Sequence, residues 1–392
     1  MLILVVDDIR NLIPRAWSYA MIHFFIGTKA QFIKVAPVIG AVSQKGMAYR
    51  LIDSGQHSKT TADLMALFHL PQPDAVMNSR SENIDRVRDA MAWFAKDTLK
   101  LVCQPGRLFN HLFNGKGGVC VVHGDTLTTL LSILCAKRCG LKVVHIESGL
   151  RSYDWLNPFP EEMIRLLSMK LSDYLIAPSG KAYGNLCDLG YRSKSVLIEG
   201  NTGKDAALEM LRQVSRAPQP VSKLQHRYTL VTIHRAENIY HQRRLKALYQ
   251  AVLAAADKGP LIFVLHDPTV IQLKKYGMLE AISNHENITC LPLQPYDKFI
   301  ELMVNADCVM TDGGSIQEEC SYFNIPCIIL RSSTERDDGL GKNAVLAKYD
   351  IQRVQDQLNK KCGKKPEPLS MGPVHGTSRR IADFIISCES RI

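Results

Sequence analysis

No G-x-G-x-x-G follows the first strand-like run, and G-x-x-x-x-G-K-[ST], H-E-x-x-H and G-x-S-x-G are absent altogether. These absences remove support for dinucleotide oxidoreductases, P-loop NTPases, zinc peptidases and nucleophile-elbow esterases. His285-Glu286 comes nearest to a zincin motif but has Thr289 where the second histidine belongs. No uninterrupted apolar run approaches the ~20 residues that span a bilayer. In the first 26 residues Asp7, Asp8, Arg10 and Arg15 break the apolar stretch and no small-residue cleavage site follows, so no targeting segment is expected. Aromatics are sparse, with 3 Trp, 12 Phe and 13 Tyr, and they do not interleave with basic residues as a single-strand stacking groove requires.

What is present is a globular composition: 46% hydrophobic and 22% charged over 392 residues, enough for two or three domains or one large α/β unit. The balance of 48 basic against 38 acidic residues leaves +10, a field that favours anionic partners. The densest basic run, Lys360-Lys361-Cys362-Gly363-Lys364-Lys365, lies in a Pro-containing stretch and reads as a solvated loop, so nucleic acid is not the expected partner. Eleven cysteines are an odd count, set mostly in apolar runs around Cys120, Cys308 and Cys327, which fits reduced thiols and a cytoplasmic location. Cys135 and Cys139 have no second ligand pair at zinc spacing, so packing rather than metal is expected there.

The apolar pattern alternates strand and helix. Ile22 to Thr28, a helix to about Gln44, and Ala48 to Gly55 have the rhythm of a parallel βαβ unit, which recurs as Val119 to His123, Thr126 to Cys139, Lys142 to Ile146 and Tyr174 to Pro178. A second series follows at Tyr228 to Ile233, Leu261 to His266, Asn287 to Pro292, Asp307 to Thr311 and Pro326 to Leu330, with a polar loop expected at Ser215 to Gln225. Two doubly wound α/β sheets facing one another across a cleft are therefore predicted, with strand C-termini presenting loops to a ligand. The divisions expected are an extension over 1–21, a first domain over 22–192 completed by 376–392, and a second over 193–375.

Polar clusters sit just after buried strands: His123-Gly124-Asp125-Thr126, Glu147-Ser148-Gly149, Thr232-Ile233-His234-Arg235 and Asp312-Gly313-Gly314-Ser315. Any one alone is readily explained as a helix cap; their joint occurrence points to a site. The last precedes a helical pattern through Glu319, an arrangement that suits a diphosphate at helix-start amides with a carboxylate for ribose hydroxyls. Pro160-Glu161-Glu162 opens another helix. Asp125, Glu147 and Glu161 come from three successive loops on one side of the first sheet, where neighbouring carboxylates can raise one another's pKa and trade protons.

These same residues, with His145-Ile146-Glu147-Ser148-Gly149-Leu150-Arg151, Pro158-Phe159-Pro160-Glu161-Glu162, Gly200-Asn201-Thr202, Ile316-Gln317-Glu318-Glu319 and Thr334-Glu335-Arg336, give the chain its resemblance to the UDP-N-acetylglucosamine 2-epimerase family. The likeness runs from about Gly27 to about Leu346. It implies two Rossmann-like domains of the glycosyltransferase-B type, a small-molecule UDP-sugar as ligand, inversion at C2 without NAD or metal, and a homodimer. Position by position, it implies acid-base roles for Asp125, Glu147 and Glu161, a place for His234 near the diphosphate, and UDP contacts at Lys29, Lys34, Phe299, Gly314, Ser315, Glu319 and Arg336. Gln56, His57 and His266 match positions that hold a second UDP-sugar as activator in bacterial non-hydrolysing members.

The chemistry implied is elimination of UDP to a 2-acetamidoglucal followed by re-addition, because the C2 hydrogen has no adjacent carbonyl and leaves only with a departing group. A hydrolysing variant that releases free N-acetylmannosamine, a glycosyltransferase of the same architecture and a non-catalytic nucleotide-sugar binder are the alternatives. The chain departs from the family's usual G-T-R-P-E at Gly27-Thr28-Lys29-Ala30-Gln31, where lysine keeps charge without bidentate geometry and glutamine replaces an acid. Ala236 stands where a second arginine is usual.

Overall fold

The structure, a computed structural model, describes residues 21–56, 58–77, 104–153, 161–216, 228–334, 336–361 and 376–390. The chain divides into two compact units, the first ending at Ala206 and joined by the C-terminal helix, the second starting at Ala207.

The first unit is built on a seven-stranded sheet in the order β3-β2-β1-β4-β5-β6-β7. The strands are β1 (Met21–Ile26), β2 (Tyr49–Asp53), β3 (Ala75–Val76), β4 (Gly118–His123), β5 (Lys142–Ile146), β6 (Tyr174–Ala177) and β7 (Ser195–Leu197). All pair in parallel, with Phe24 opposite Leu51 on one side and Val121 on the other. A parallel sheet covered on both faces needs strands apolar on both faces, which is why β1 and β4 read as unbroken FFI and VCVV. Its helices are α1 (Lys29–Gln44), α2 (Ser58–Leu67), α3 (Pro105–Phe113), α4 (Leu127–Arg138), α5 (Glu161–Leu171), α6 (Gly180–Asp188) and the start of α7 (Thr202–Arg216), with the C-terminal helix Gly376–Glu389. Phe25, Ile52, Phe113, Val122 and Leu131 pack into one core, each large side chain contributing about 1.5–3 kcal/mol by leaving water.

The second unit repeats the pattern with six parallel strands in the order β10-β9-β8-β11-β12-β13. These are β8 (Thr229–Ile233), β9 (Leu261–Leu265), β10 (Ile288–Pro292), β11 (Cys308–Thr311), β12 (Cys327–Ile329) and β13 (Ala344–Leu346). Its helices are α8 (Ala236–Ile239), α9 (Gln242–Ala256), α10 (Asp267–Lys275), α11 (Leu279–Ser283), α12 (Tyr296–Val304), α13 (Gly314–Tyr322) and α14 (Ile351–Lys361). Val231, Leu248, Phe263, Met310 and Ile328 form its core.

In both sheets the order reverses beside the first strand of the series, between β1 and β4 and between β8 and β11, and in open α/β sheets ligands bind outside strand C-termini at that reversal. The long apolar strands match expectation. The short strands β3, β7 and β13 escape sequence reading because, unlike the equally short β12 within Pro326 to Leu330, none is read from a longer apolar run. The loop expected at Ser215 to Gln225 starts inside α7, which runs to Arg216, and its remainder lies outside the described residues. Cys135 and Cys139 are buried free thiols, as are Cys120, Cys308 and Cys327. No helix among the described residues is long and apolar enough to cross a membrane, and no group of three or more metal-ligating side chains occurs among them.

Candidate active site

The first unit's site lies at the ends of β1, β4 and β5. Thr28 caps α1, its hydroxyl accepting the N–H of Gln31, whose side chain answers in a capping box. The Gln31 side chain does more than cap. Its carbonyl accepts the N–H groups of Gly27 and Thr28 at 3.1 and 3.2 Å, while its amide donates to the His123 carbonyl at 2.8 Å and to the Thr129 hydroxyl at 2.9 Å. A carboxylate cannot donate to that carbonyl. The glutamine where the resembled family carries an acid is thus a strap between the β1–α1 and β4–α4 loops.

One turn along α1, Lys34 is buried with its ammonium 2.8 and 2.9 Å from the two Glu147 oxygens. His123 Nε2 lies 2.9 Å from Glu147 Oε2, so the carboxylate is held between an ammonium and an imidazole. Glu147 follows β5 with φ of 63°, a left-handed conformation that costs a non-glycine residue energy and persists only when its surroundings enforce it. Beside it, Ile146, Ile176, Ile198 and Ile381 line a small apolar pocket rimmed by Glu147 and Asn201. Gly149, at φ +88°, packs so closely on α6 that an added Cβ would lie 2.2 Å from the Ala182 carbonyl oxygen.

Asp125 and Glu161 gather on a different cation. Arg165, buried on α5, places Nε 2.6 Å from Asp125 Oδ2 and a terminal nitrogen 3.8 Å from Glu161 Oε2. Arg165 also reaches Glu162 at 3.3 Å, whose carboxylate is fully buried and accepts the Ser152 N–H and hydroxyl, each at 3.0 Å, and Arg151 Nε. Burial pushes the Glu162 pKa up, but the Ser152 N–H, Arg151 and the Ser152 hydroxyl outweigh it and hold the group below its usual range. His145, beneath these loops, has its pKa lowered to about 4 by burial, against the pull of its bond to the Gly124 carbonyl at 2.6 Å.

Each of the three expected acids faces a cation, Glu147 on Lys34 and Asp125 with Glu161 on Arg165. Lys34, expected to contact UDP, pairs its ammonium with Glu147. His123 and Glu162 lie within the strand-end and helix-start motifs and Arg165 lies one turn further along α5, but a run of residues does not say which charges pair across loops.

The second unit's site rests mostly on neutral donors to buried carboxylates. Asp312, fully buried after β11, accepts the backbone N–H groups of His234 and Arg235, each at 3.0 Å, and the Asn238 amide at 2.9 Å. This fixes the β8–α8 turn so that the one-third-exposed His234 ring stacks on His266, with centroids 4.7 Å apart and 16° between planes. The two histidines assigned to separate roles thus share one stack. Gly313 is needed here, because a Cβ would lie 2.9 Å from His234 Cε1.

Gly314 and Ser315 open α13, whose first-turn N–H groups have no partner within the helix and point at whatever anion lies there. Glu319, buried one turn in, accepts the Tyr296 hydroxyl at 2.8 Å. Burial raises the Tyr296 pKa well above its ordinary value, and Glu319 raises it further. Gln317 donates to the carbonyls of Arg336 and Asp338 at 3.0 and 2.9 Å and accepts the Thr334 hydroxyl, binding the Arg336 loop to the helix start. Arg336 meets Glu318. Phe299 is half-buried on α12 and Lys29 half-buried at the start of α1. In the first unit Gln56 accepts the Thr128 hydroxyl; His57 lies outside the described residues.

A family model described as UDP-N-acetylglucosamine 2-epimerase matches residues 41–385. The chain is 30% identical over 355 residues to the UDP-N-acetylglucosamine 2-epimerase of Methanocaldococcus jannaschii, covering 87% of this chain and 93% of that one. It is 28% identical over 319 residues to the UDP-2,3-diacetamido-2,3-dideoxy-D-glucuronate 2-epimerase of Pseudomonas aeruginosa, covering 79% and 83%. The crystal structure of the M. jannaschii UDP-GlcNAc 2-epimerase in complex with UDP-GlcNAc and UDP superposes with a TM-score of 0.79 at 27% identity, covering 94% of this chain and 99% of that one.

Proposed function

The chain belongs to the UDP-N-acetylglucosamine 2-epimerase family, and from that premise we propose that it inverts C2 of a UDP-2-acetamido sugar by eliminating and re-adding UDP. The observation that carries the reading is the pair of separately held acid groups in the first unit, Glu147 between Lys34 and His123, and Asp125 with Glu161 on Arg165. Inversion at a carbon needs one group to take a proton and another to return one from the opposite face, and two carboxylate stations on different cations meet that need.

In the first half-reaction a base removes the C2 proton, the C2–H electron pair becomes the C1=C2 bond, and the anomeric C–O pair departs with UDP. In the second, UDP oxygen bonds to C1 of the 2-acetamidoglucal as C2 takes a proton on its other face. No electrons leave the substrate, so the step balances without an oxidant. Positioned acid-base groups contribute on the order of 10²- to 10⁴-fold. His234, Arg336 and the α13 amides meet the negative charge of the leaving diphosphate, and Glu319, oriented by Tyr296, accepts ribose hydroxyls. The isoleucine pocket beside Glu147 suits the methyl of an acetamido group on the reacting carbon. Lys29 and Phe299 complete the UDP contacts; Gln56 and His266 belong to the same reading as ligands of a second UDP-sugar. A cytoplasmic homodimer belongs to it too, checked by light scattering of the purified chain.

The test is incubation with UDP-N-acetylglucosamine, and in parallel with the 2,3-diacetamido uronate, in deuterated water. The expected product is the C2 epimer still joined to UDP and carrying deuterium at C2. Recovery of every sugar nucleotide unlabelled would overturn the proposal, and stoichiometric free N-acetylmannosamine would overturn the re-addition half of it.

A further inference from the structure

We propose that Glu162 is a positioning residue whose buried carboxylate couples the loop carrying Glu147 to the guanidinium that holds Asp125 and Glu161. The inference rests on the acid-base reading above. An acid in the first turn of a helix ordinarily serves the helix dipole from solvent. Glu162 does not sit in solvent: its side chain is 0% exposed, a placement a carboxylate tolerates only when its oxygens are fully engaged.

Its engagements face two ways. One oxygen accepts Arg151 Nε, and the other accepts both the N–H and the hydroxyl of Ser152, so the end of the segment 147–153 is tied to α5. The Asn185 amide holds the middle of that segment through the Gly149 carbonyl at 2.8 Å. The second Glu162 oxygen also accepts Arg165 NH1 at 3.3 Å, leaving Arg165 Nε directed at Asp125. Residues three apart on a helix share a face, so Glu162 fixes the fork of Arg165 from one side while Asp125 and Glu161 occupy its others. One carboxylate thereby sets the spacing between the two acid stations.

The experiment compares wild type, Glu162→Gln, Glu162→Asp and Ser152→Ala, reading kcat and KM for the UDP-sugar, UDP affinity by calorimetry, and hydrogen exchange of the 147–153 amides. Glu162→Gln keeps the shape and loses the charge. It is expected to lower kcat about a hundredfold, leave KM and UDP affinity within threefold, and speed exchange over 147–153 at least tenfold. Glu162→Asp recovers part of the kcat loss. Ser152→Ala, which removes one donor and leaves the buried carboxylate paired, lowers kcat several-fold and decides the matter should Glu162→Gln not fold. A folded Glu162→Gln with kcat within twofold of wild type, a loss confined to KM, or unchanged exchange over 147–153 would overturn the proposal. Should the wild type turn over no UDP-sugar, the functional reading fails, and the exchange comparison still decides whether Glu162 holds the loop.

Discussion

The two units share a strand order and place their polar residues at the same point of it, yet they hold those residues with a different balance of ion pairs and neutral donors. In the first, function-bearing side chains are charged and set by ion pairs: Lys34 on Glu147, Arg165 on Asp125, Glu161 and Glu162. In the second, backbone amides, carboxamides and a phenol do most of the holding, with Arg336 paired to Glu318: His234 and Arg235 N–H on Asp312, Gln317 on the Arg336 loop, Tyr296 on Glu319. The difference matches the work proposed for each. A proton-transfer station needs charges whose balance can be reset during turnover, whereas a diphosphate needs fixed dipoles that cost no reorganisation when it arrives.

Glu147→Gln breaks the contrast most severely. It removes the group the first unit is arranged around, and C2 exchange with solvent deuterium is expected to fall about 10³-fold. UDP affinity, a property assigned to the second unit, stays within threefold by calorimetry. Equal loss of both would erase the division of labour.

Acid separates the units next. Burial lowers the pKa values of His23 and His145 to about 4, and both lie in the first unit. Between about 6.5 and 4 the unfolded chain takes up protons that the folded unit refuses, so their contribution is complete above about pH 6.5. It is lost as pH falls through 4, at up to about 3 kcal/mol per histidine. Hydrogen exchange at pH 5 is expected to show β1 and β5 losing protection before β8 and β11. His145→Asn should flatten that dependence.

Two smaller effects belong to the second unit. Tyr296→Phe deletes the hydroxyl that donates to Glu319, and KM for the UDP-sugar is expected to rise about tenfold, about 1.4 kcal/mol, with kcat within twofold. Gly313→Ala pushes a methyl against His234, and UDP affinity is expected to fall several-fold while the melting temperature moves by only a few degrees. A drop in kcat without change in KM for either variant would place proton transfer, rather than diphosphate binding, in that unit.

Long buried strands and the polar residues that follow them were legible because both signals are local. The apolar run of β9 and the Asp312-Gly313-Gly314 turn need no partner to be recognised. The candidate acids were legible for the same reason, each standing at the end of a readable strand or the start of a readable helix. Their cations were not. Gln31 looked like the mere loss of an acid, and only its bond to the His123 carbonyl reveals a strap between loops.

The order of residues determined the βα rhythm, the capped helix starts and the choice of side chains at strand ends, since these depend on neighbours within a turn or two. Tertiary structure alone decided which charge meets which. Lys34 and Glu147 stand 113 residues apart, and nothing short of parallel pairing of β1, β4 and β5 brings them to 2.8 Å. Coulomb attraction is set by distance and local dielectric, and both are properties of the folded chain.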